Sequence, residues 1–477
     1  MKETRGPKFF PGMVLIIAVA LMLPALQVLA ESPDISQAAE HLSAAVRFKT
    51  ISFQDPAQVD AKEFKAFHAF LAKTYPLVHK NLSRETVSDL GLLYTWKGSD
   101  PSAKPVLLLA HIDVVPIAPG TLQDWTQPPF EGVIADGFIW GRGTMDCKGF
   151  LIAEMEAVES LLARGYQPRR TIYLCFGHDE EVGGPNGAAR IAALLKSRGV
   201  QAEYVIDEGG MIVDGKMLGI EKPVAMIGIA EKGYLTLELK VKTKGGHSSM
   251  PPAESAIGIL SRAISRLEQH PFPARLKGVS ETTFVSLAPE LSPAMRMAIK
   301  NRRLLGGVIK KELDKIPATA AAIRTTTAPT IFNAGSKENV LPQEAKAAVN
   351  FRLLPGDSVG YAISRVKTVI NDPRVSVEPV GQTREASKIS ALDSEGFRIL
   401  EKTIKQMFPD TLSVPFLVLG GTDARNYEQI SDSLYRFAPM RVGEKDQERG
   451  HGTNERVSLD NYRELIEFYT TLIRNSE

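Results

Sequence analysis

The run Val106-Leu107-Leu108-Leu109-Ala110, ending in the polar His111-Ile112-Asp113, decides how the rest of the chain is read. Five apolar residues in succession do not alternate, so both faces of such a strand need cover. That is the condition of a parallel sheet held between two layers of helix. Two further segments follow the same rule. Thr171-Ile172-Tyr173-Leu174-Cys175-Phe176 runs into Gly177-His178-Asp179-Glu180-Glu181, and Ala202-Glu203-Tyr204-Val205-Ile206 runs into Asp207-Glu208-Gly209-Gly210. Between the first two, Leu151, Ile152, Met155, Val158 and Leu162 recur on one helical face, with Gly165 as a stop, and 187–197 behaves similarly. Strands alternating with helices predict an α/β layer fold, a mostly parallel mixed sheet flanked by helices. Ligands of such sheets bind at the carboxyl ends of the strands, where all three acidic clusters fall.

Toward the N-terminus, 34–76 has helical periodicity and 77–96 reads as short strands. Before them, Lys2, Arg5 and Lys8 precede an apolar run over 13–23, then Pro24 and Val28-Leu29-Ala30. This is the pattern of a secretory signal over 1–30, cleaved after Ala30, and predicts an exported protein, periplasmic or secreted. Membrane contact is expected only if the segment stays uncleaved as an anchor. Toward the C-terminus, Asp136-Gly137 between apolar residues predicts a hairpin. From 232 the pattern changes: Leu235, Leu237, Leu239 and Val241 alternate with Thr236, Glu238, Lys240 and Lys242, a half-exposed antiparallel strand. A helix over 253–268, apolar and helical character over 275–330 and a strand over 347–353 complete an inserted α+β domain over 232–382. The first pattern returns with a strand over 412–419 and a terminal helix over 458–473. The catalytic domain is thus expected in two parts, 31–231 and 383–477.

Lys and Arg number 57 against 55 Asp and Glu, so nothing in the charge balance points to a nucleic-acid partner. The cysteines are two, Cys147 and Cys175, which excludes a disulfide scaffold or a thiolate cage. Any metal must rest on the eight histidines and the carboxylates. His111, Asp146, Glu181, Asp207 and His451 supply two imidazoles and three carboxylates, a set that suits a binuclear site with one bridging carboxylate. Nitrogen and oxygen ligands without sulfur suit zinc, with manganese or cobalt possible. Of the adjacent Glu180 and Glu181, one is free to bind metal while the other serves as general base. Asp113, two residues beyond His111 on the same side of the strand, is a candidate partner for the imidazole. Each cluster alone has a plainer reading: Asp146 as a helix N-cap, Glu180-Glu181 as a solvated acidic loop, His247 as a structural histidine. A phosphoesterase lacks a basic phosphate cradle here, and a secreted binding protein without activity has no need of Glu180.

The order of these clusters carries a resemblance. Ala110-His111-Ile112-Asp113-Val114-Val115-Pro116, Gly141-Arg142-Gly143-Thr144-Met145-Asp146, Gly177-His178-Asp179-Glu180-Glu181-Val182-Gly183-Gly184, Val205-Ile206-Asp207-Glu208-Gly209 and Gly246-His247-Ser248-Ser249-Met250-Pro251-Pro252 are similar to the motifs of co-catalytic zinc metallopeptidases. That family includes carboxypeptidase S, Gly-X carboxypeptidases, glutamate carboxypeptidase and aminoacylase-1. The chain most resembles the branch of carboxypeptidase S and N-fatty-acyl-amino acid synthase/hydrolase, over about 34–475. The resemblance implies two zinc ions per subunit, bridged by Asp146. His111 and the Asp207-Glu208 acid, taken as Asp207, would hold one ion, and Glu181 and His451 the other. It implies Glu180 as general base and Asp113 as support for His111. It implies a lid that also forms a homodimer, with His247 polarising the scissile carbonyl, sometimes from the partner. Arg352, in Asn350-Phe351-Arg352, would hold the substrate's α-carboxylate, and Asn333 would contact substrate. The implied substrate is a small peptide or an N-acyl-amino acid. Relatives often carry aspartate where this chain has Cys147, read as a tolerated substitution, and a cis peptide at Asp146–Cys147 is expected.

Overall fold

The computed structural model describes residues 35–446 and 448–477, so the proposed export signal over 1–30 lies outside the described residues. The strand Val106–His111 is buried along its whole length, and its side chains divide between two cores. Leu108 and Ala110 join the core built with the helices Lys148–Ala163 and Leu459–Asn475, while Leu107 and Leu109 join that of Ala188–Ser197. Leu174 and Phe176 face the first core and Cys175 the second, as period-two geometry requires. This two-sided burial is why the strands read as unbroken apolar runs.

The large sheet has ten strands and mixed pairing. Val106–His111 lies parallel between Ile172–Gly177 and Tyr204–Asp207. Leu434–Arg436 continues in parallel beyond Tyr204–Asp207, and Leu412–Val418 pairs in parallel with Val224–Glu231. The antiparallel hairpin Ser83–Val87 and Gly91–Trp96 closes the other edge. The α/β expectation therefore holds. Part of 77–96 read as strand is helical, however: Pro76 opens a short helix to Asn81, its missing N–H costing nothing at the first helical position. The Asp136-Gly137 turn joins Ile134–Ala135 to Phe138–Trp140, with both turn residues at positive φ.

A second, wholly antiparallel sheet runs Thr326–Ala334, Glu344–Leu353, Gly233–Lys242, Val375–Pro379. The helices Ala256–Gln269 and Val359–Ile370 cover its apolar face, and the alternating burial of Gly233–Lys242 leaves the other face partly exposed. The stretch 232–382 also feeds the first core. Its helix Val279–Leu287 packs on Leu412–Val418 of the large sheet, with Thr283 donating to the Pro415 carbonyl at 2.7 Å. Among the described residues, no helix is long and apolar enough to cross a membrane.

Where the first sheet passes into the second, Glu231 and Arg436 form a buried ion pair at 2.6 Å, and Thr422 also donates to Glu231. Glu231→Ala would strand a fully buried guanidinium with little beyond the Leu434 carbonyl as partner. The expected outcome is a loss of about 3–5 kcal/mol of stability. A urea midpoint within error of the parent would contradict it.

Candidate metal centre

Three neighbouring parallel strands deliver the acidic clusters to one place. His111 is the last residue of its strand. Glu180 and Glu181 follow the strand on one side, and Asp207 and Glu208 end the strand on the other. His111 Nδ1 lies 2.9 Å from the Asp113 carbonyl oxygen. A carbonyl only accepts, so Nδ1 carries the hydrogen and Nε2 is left to face outward. What Nε2 faces is Asp146 Oδ1 at 2.9 Å and Glu208 Oε1 at 3.3 Å. A ring nitrogen between two carboxylates requires a proton or a metal cation.

The other oxygen of Asp146 lies 3.0 Å from His451 Nε2, which in turn lies 3.0 Å from Glu181 Oε2. One carboxylate thus joins two imidazoles, and each imidazole has a carboxylate of its own: Glu208 beside His111, Glu181 beside His451. The second oxygen of Glu181 is buried without a hydrogen-bond partner. This donor set fits a metal centre that His111, Asp146, Glu181, Glu208 and His451 would hold.

Asp207, read from the sequence as a ligand, is turned elsewhere. Its two oxygens accept from the backbone N–H groups of Glu208 and Ala424, at 2.9 and 2.6 Å. It is the last residue of a strand buried on both faces, so its side chain is drawn back into the sheet, and Glu208 takes its place at His111. Cys147 is fully buried, its peptide bond to Asp146 is cis, and burial holds its thiol well above the ordinary range, which removes a reactive thiolate. Its sulfur nevertheless belongs to a possible ligand group with His111 and Glu208.

The protonation pattern follows from the crowding. Burial works against ionised Asp146, but bonds from His111 and His451 outweigh it and hold the carboxyl below its usual range. Hydrogen bonds to Asp146 and Glu181 push His451 up to about 11. Burial opposes the charged form of His111, yet Glu208, Asp113 and Asp146 still raise it well above its ordinary value. Burial, and then the charge of Asp146, pushes Glu208 up to about 8.

Two buried carboxylates that are not ligands hold the cluster in shape. Asp113 accepts from the backbone N–H groups of Glu180 and Glu181, at 3.1 and 3.2 Å, and its Oδ1 lies 3.3 Å from His111 Nδ1, so one side chain fixes both His111 and the Glu180-Glu181 turn. Glu455 accepts from the N–H groups of Gly143, Met145 and Asp146 and from Arg142 Nη1. Arg142 also donates to the carbonyls of His451 and Gly452. The loops bearing Asp146 and His451, about three hundred positions apart in the chain, are thereby one hydrogen-bonded unit. Sequence reasoning missed both Glu455 and Arg142. The only signal was their nearness in the chain to His451 and Asp146.

Glu180 and Glu181 open onto a cavity of about 1030 Å³ that reaches the second sheet. Arg352 stands in it, stacked 4.7 Å over the Tyr234 ring, with Arg384 and Arg425 nearby. Arg425 lies 3.6 Å from Glu180. Burial, and then the charge of Asp423, keeps Glu180 well above the usual carboxylate range. The structure does not bring Asn333 or His247 to this cavity in one chain. Asn333 is exposed on the edge strand opposite Lys346, and His247 sits on an exposed two-residue strand beside Ser249.

Comparison with known proteins agrees with this geometry. The family model described as peptidase family M20/M25/M40 matches residues 107–475. The chain belongs to that family. It is accordingly a metal-dependent peptidase or amidohydrolase. This M20 chain is 44% identical over 443 residues to "Probable carboxypeptidase S-like 2" of Dictyostelium discoideum, covering 92% of the chain and 85% of the relative. It is 40% identical over 449 residues to "N-fatty-acyl-amino acid synthase/hydrolase PM20D1.1" of Danio rerio, covering 92% and 85%. A crystal structure of an M20 family metallo-carboxypeptidase from Sulfolobus solfataricus shares the fold, with a TM-score of 0.65 and 19% identity over 92% of this chain and 99% of that one.

Two outcomes are expected of this M20 centre. His111 and His451, both raised well above neutrality, carry protons at pH 7 when no metal is bound. A bound metal must displace these protons and that of Glu208, itself held up to about 8, so metal binding at pH 7 is expected to release more than one proton per chain. Calorimetry in buffers of different ionisation enthalpy measures this, and zero release would show the imidazoles already neutral. Secondly, Glu208→Gln is expected to deplete bound metal far more than Asp207→Asn, read by elemental analysis of the purified variants.

Proposed function

We propose that the chain hydrolyses an amide bond next to an amino acid with a free carboxylate, as a carboxypeptidase or dipeptidase, at a two-zinc site. The observation that carries this reading is the placement of Glu180 at the cluster's edge, in the same cavity as Arg352. His111, Asp146 and Glu208 would hold one zinc ion and Asp146, Glu181 and His451 the other. The bound ions would supply a water of lowered pKa and polarise the scissile carbonyl. Glu180 takes the proton of the attacking water on a carboxylate oxygen and passes it to the leaving nitrogen. Burial raises its affinity for that proton, which suits a group that must both accept and return it. Arg352 offers a guanidinium to the α-carboxylate in bidentate fashion, its plane already ordered by Tyr234.

His247 is too exposed to serve a cavity of its own chain, so in this reading it acts from the partner subunit of a homodimer. The opening sequence pattern supports export as the setting of the reaction.

A second reading, N-acyl-amino acid hydrolysis or synthesis, is favoured by the zebrafish relative and by a feature of the cavity. Its acids are already engaged. Glu231 pairs with Arg436, Glu385 accepts from Val359 N–H, and Glu428 accepts from Lys388 N–H. Apart from Glu180 and Glu181, which belong to the reacting centre, each already has a partner to share with a peptide's free ammonium, whereas an uncharged acyl group needs no such partner.

The test is a substrate panel on zinc-loaded protein: a dipeptide, a longer peptide and an N-oleoyl amino acid, each with free and amidated carboxyl. Free-carboxyl substrates are expected to turn over and amidated ones to fail. Glu180→Gln is expected to lower kcat by about 10²–10⁴-fold while keeping its metal. Full turnover by Glu180→Gln, or indifference to the carboxyl, would remove the mechanism.

A further inference from the structure

The apolar and helical stretch over 275–330 carries two short helices, Pro293–Lys300 and Arg302–Leu313, that have two apolar faces. The inner face is conventional. Ile299, Ile309 and Leu313 are buried, the last two with Ile323 in a small core of their own. The outer face is not. Leu304 is 87% exposed, Met297 66% and Val308 62%, with Ile316 just beyond at 57%. Leu304 and Val308 are four residues apart and so stand one above the other on the helix. Ile309 and Leu313 occupy the opposite side. Six of the eighteen large hydrophobic side chains exposed among the described residues lie between 295 and 316, which makes this a concentration rather than scatter.

The charges around this ridge are one-sided. Residues 293–315 hold seven Lys or Arg and two Asp or Glu, a net charge of +5 in a chain whose total is +2. The two acids are engaged, Glu312 with Lys315 and Asp314 with Arg324, and Arg302 pairs with Glu281. Lys300, Arg303, Lys310 and Lys311 have no carboxylate partner among the described residues, and Lys311 lies on the same side of the helix as Leu304 and Val308. Large apolar side chains flanked by unpaired cations match an anionic lipid surface. The apolar groups enter the boundary of the acyl chains, and the cations meet the headgroup phosphates. A protein partner of ordinary composition would leave those cations without counter-charges.

We propose that the outer face of these two helices docks the protein on an anionic lipid bilayer. The inference is independent of the substrate: it holds whether the cavity takes an acyl or an aminoacyl group.

The test places an environment-sensitive fluorophore on Leu304→Cys in the full chain. Cys147 and Cys175 are buried, so the new thiol takes the label, and an exposed position tolerates it. The probe reports on this face alone, whatever the N-terminal apolar run does. Phosphatidylcholine–phosphatidylglycerol vesicles are expected to raise and blue-shift the emission. The vesicle concentration needed should rise roughly tenfold or more in high salt and in Lys310→Glu/Lys311→Glu. Three results would overturn the proposal. One is no change with mixed vesicles in a labelled protein that keeps its activity. Another is an equal response to pure phosphatidylcholine. The third is a shift that appears with rising protein concentration without lipid, which would assign the face to a second copy of the chain.

Discussion

The structure depends on a concentration of negative charge that it has no means of dispersing. Asp146, Glu181 and Glu208 meet where three strands end, with Asp113, Glu180 and Asp423 behind or beside them, in a region largely closed to water. Carboxylates so placed repel one another and lose their hydration, and the loss is offset only by cations or protons. Without metal, protons supply this: the two imidazoles hold theirs well beyond the usual range, and burial pushes Glu208 up to about 8. A metal cation would supply it better, bringing positive charge to a set of oxygens already gathered in one place. Asp207, turned back into the sheet, has its charge met instead by backbone N–H donors.

Holding such a cluster open before metal arrives requires support from outside it, and the support is also ionic. Glu455 gathers the backbone amides before and at Asp146, and Arg142 ties that acid to the carbonyls of the His451 loop. Burial pushes the Glu455 carboxyl up to about 7, so its ionised form is sustained only by the Arg142 pair and the amides it accepts from. The arrangement makes the Asp146 and His451 loops interdependent. His451 itself adopts positive φ, uncommon for a side chain with a Cβ, and the Arg142 bonds to its carbonyl and to that of Gly452 hold it there.

The sequence revealed this organisation unevenly, and the reasons are physical. A strand buried on both faces announces itself as an unbroken apolar run, so Val106–His111 and its neighbours were legible, and with them the place where their acids would meet. Choosing between Asp207 and Glu208 was not possible from pattern alone. Adjacent residues at a strand end point to opposite sides, and which side faces the cluster depends on register with Val106–His111. Glu455 and Arg142 were illegible for a different reason. A buried ion pair between distant loops leaves no periodicity, and a lone Glu or Arg in a glycine-rich stretch reads as solvated. Asn333 and His247 were read by resemblance, and in a single chain both stand on exposed strands outside the cavity's lining.

The stretch over 275–330 shows most clearly how composition can mislead about direction. Its apolar, helical character fits a greasy wall for the cavity, yet of its residues Val279 and Leu287 turn to the large sheet, and Ile309, Leu313 and Ile323 turn to each other. The cavity takes its apolar surface from other places, among them Val182, Tyr234, Ile331 and Val380. What links the helices to the cavity is polar: Lys232, on its wall, donates to the carbonyls of Ala321 and Arg324 at 2.9 and 2.8 Å. Burial lowers this amine to about 7, so the tie is strong only while the proton is retained. An amphipathic helix has one face to spend on its own protein. In Arg302–Leu313 that face is already filled by Ile309 and Leu313, and the apolar residues left over have nowhere to go but outward.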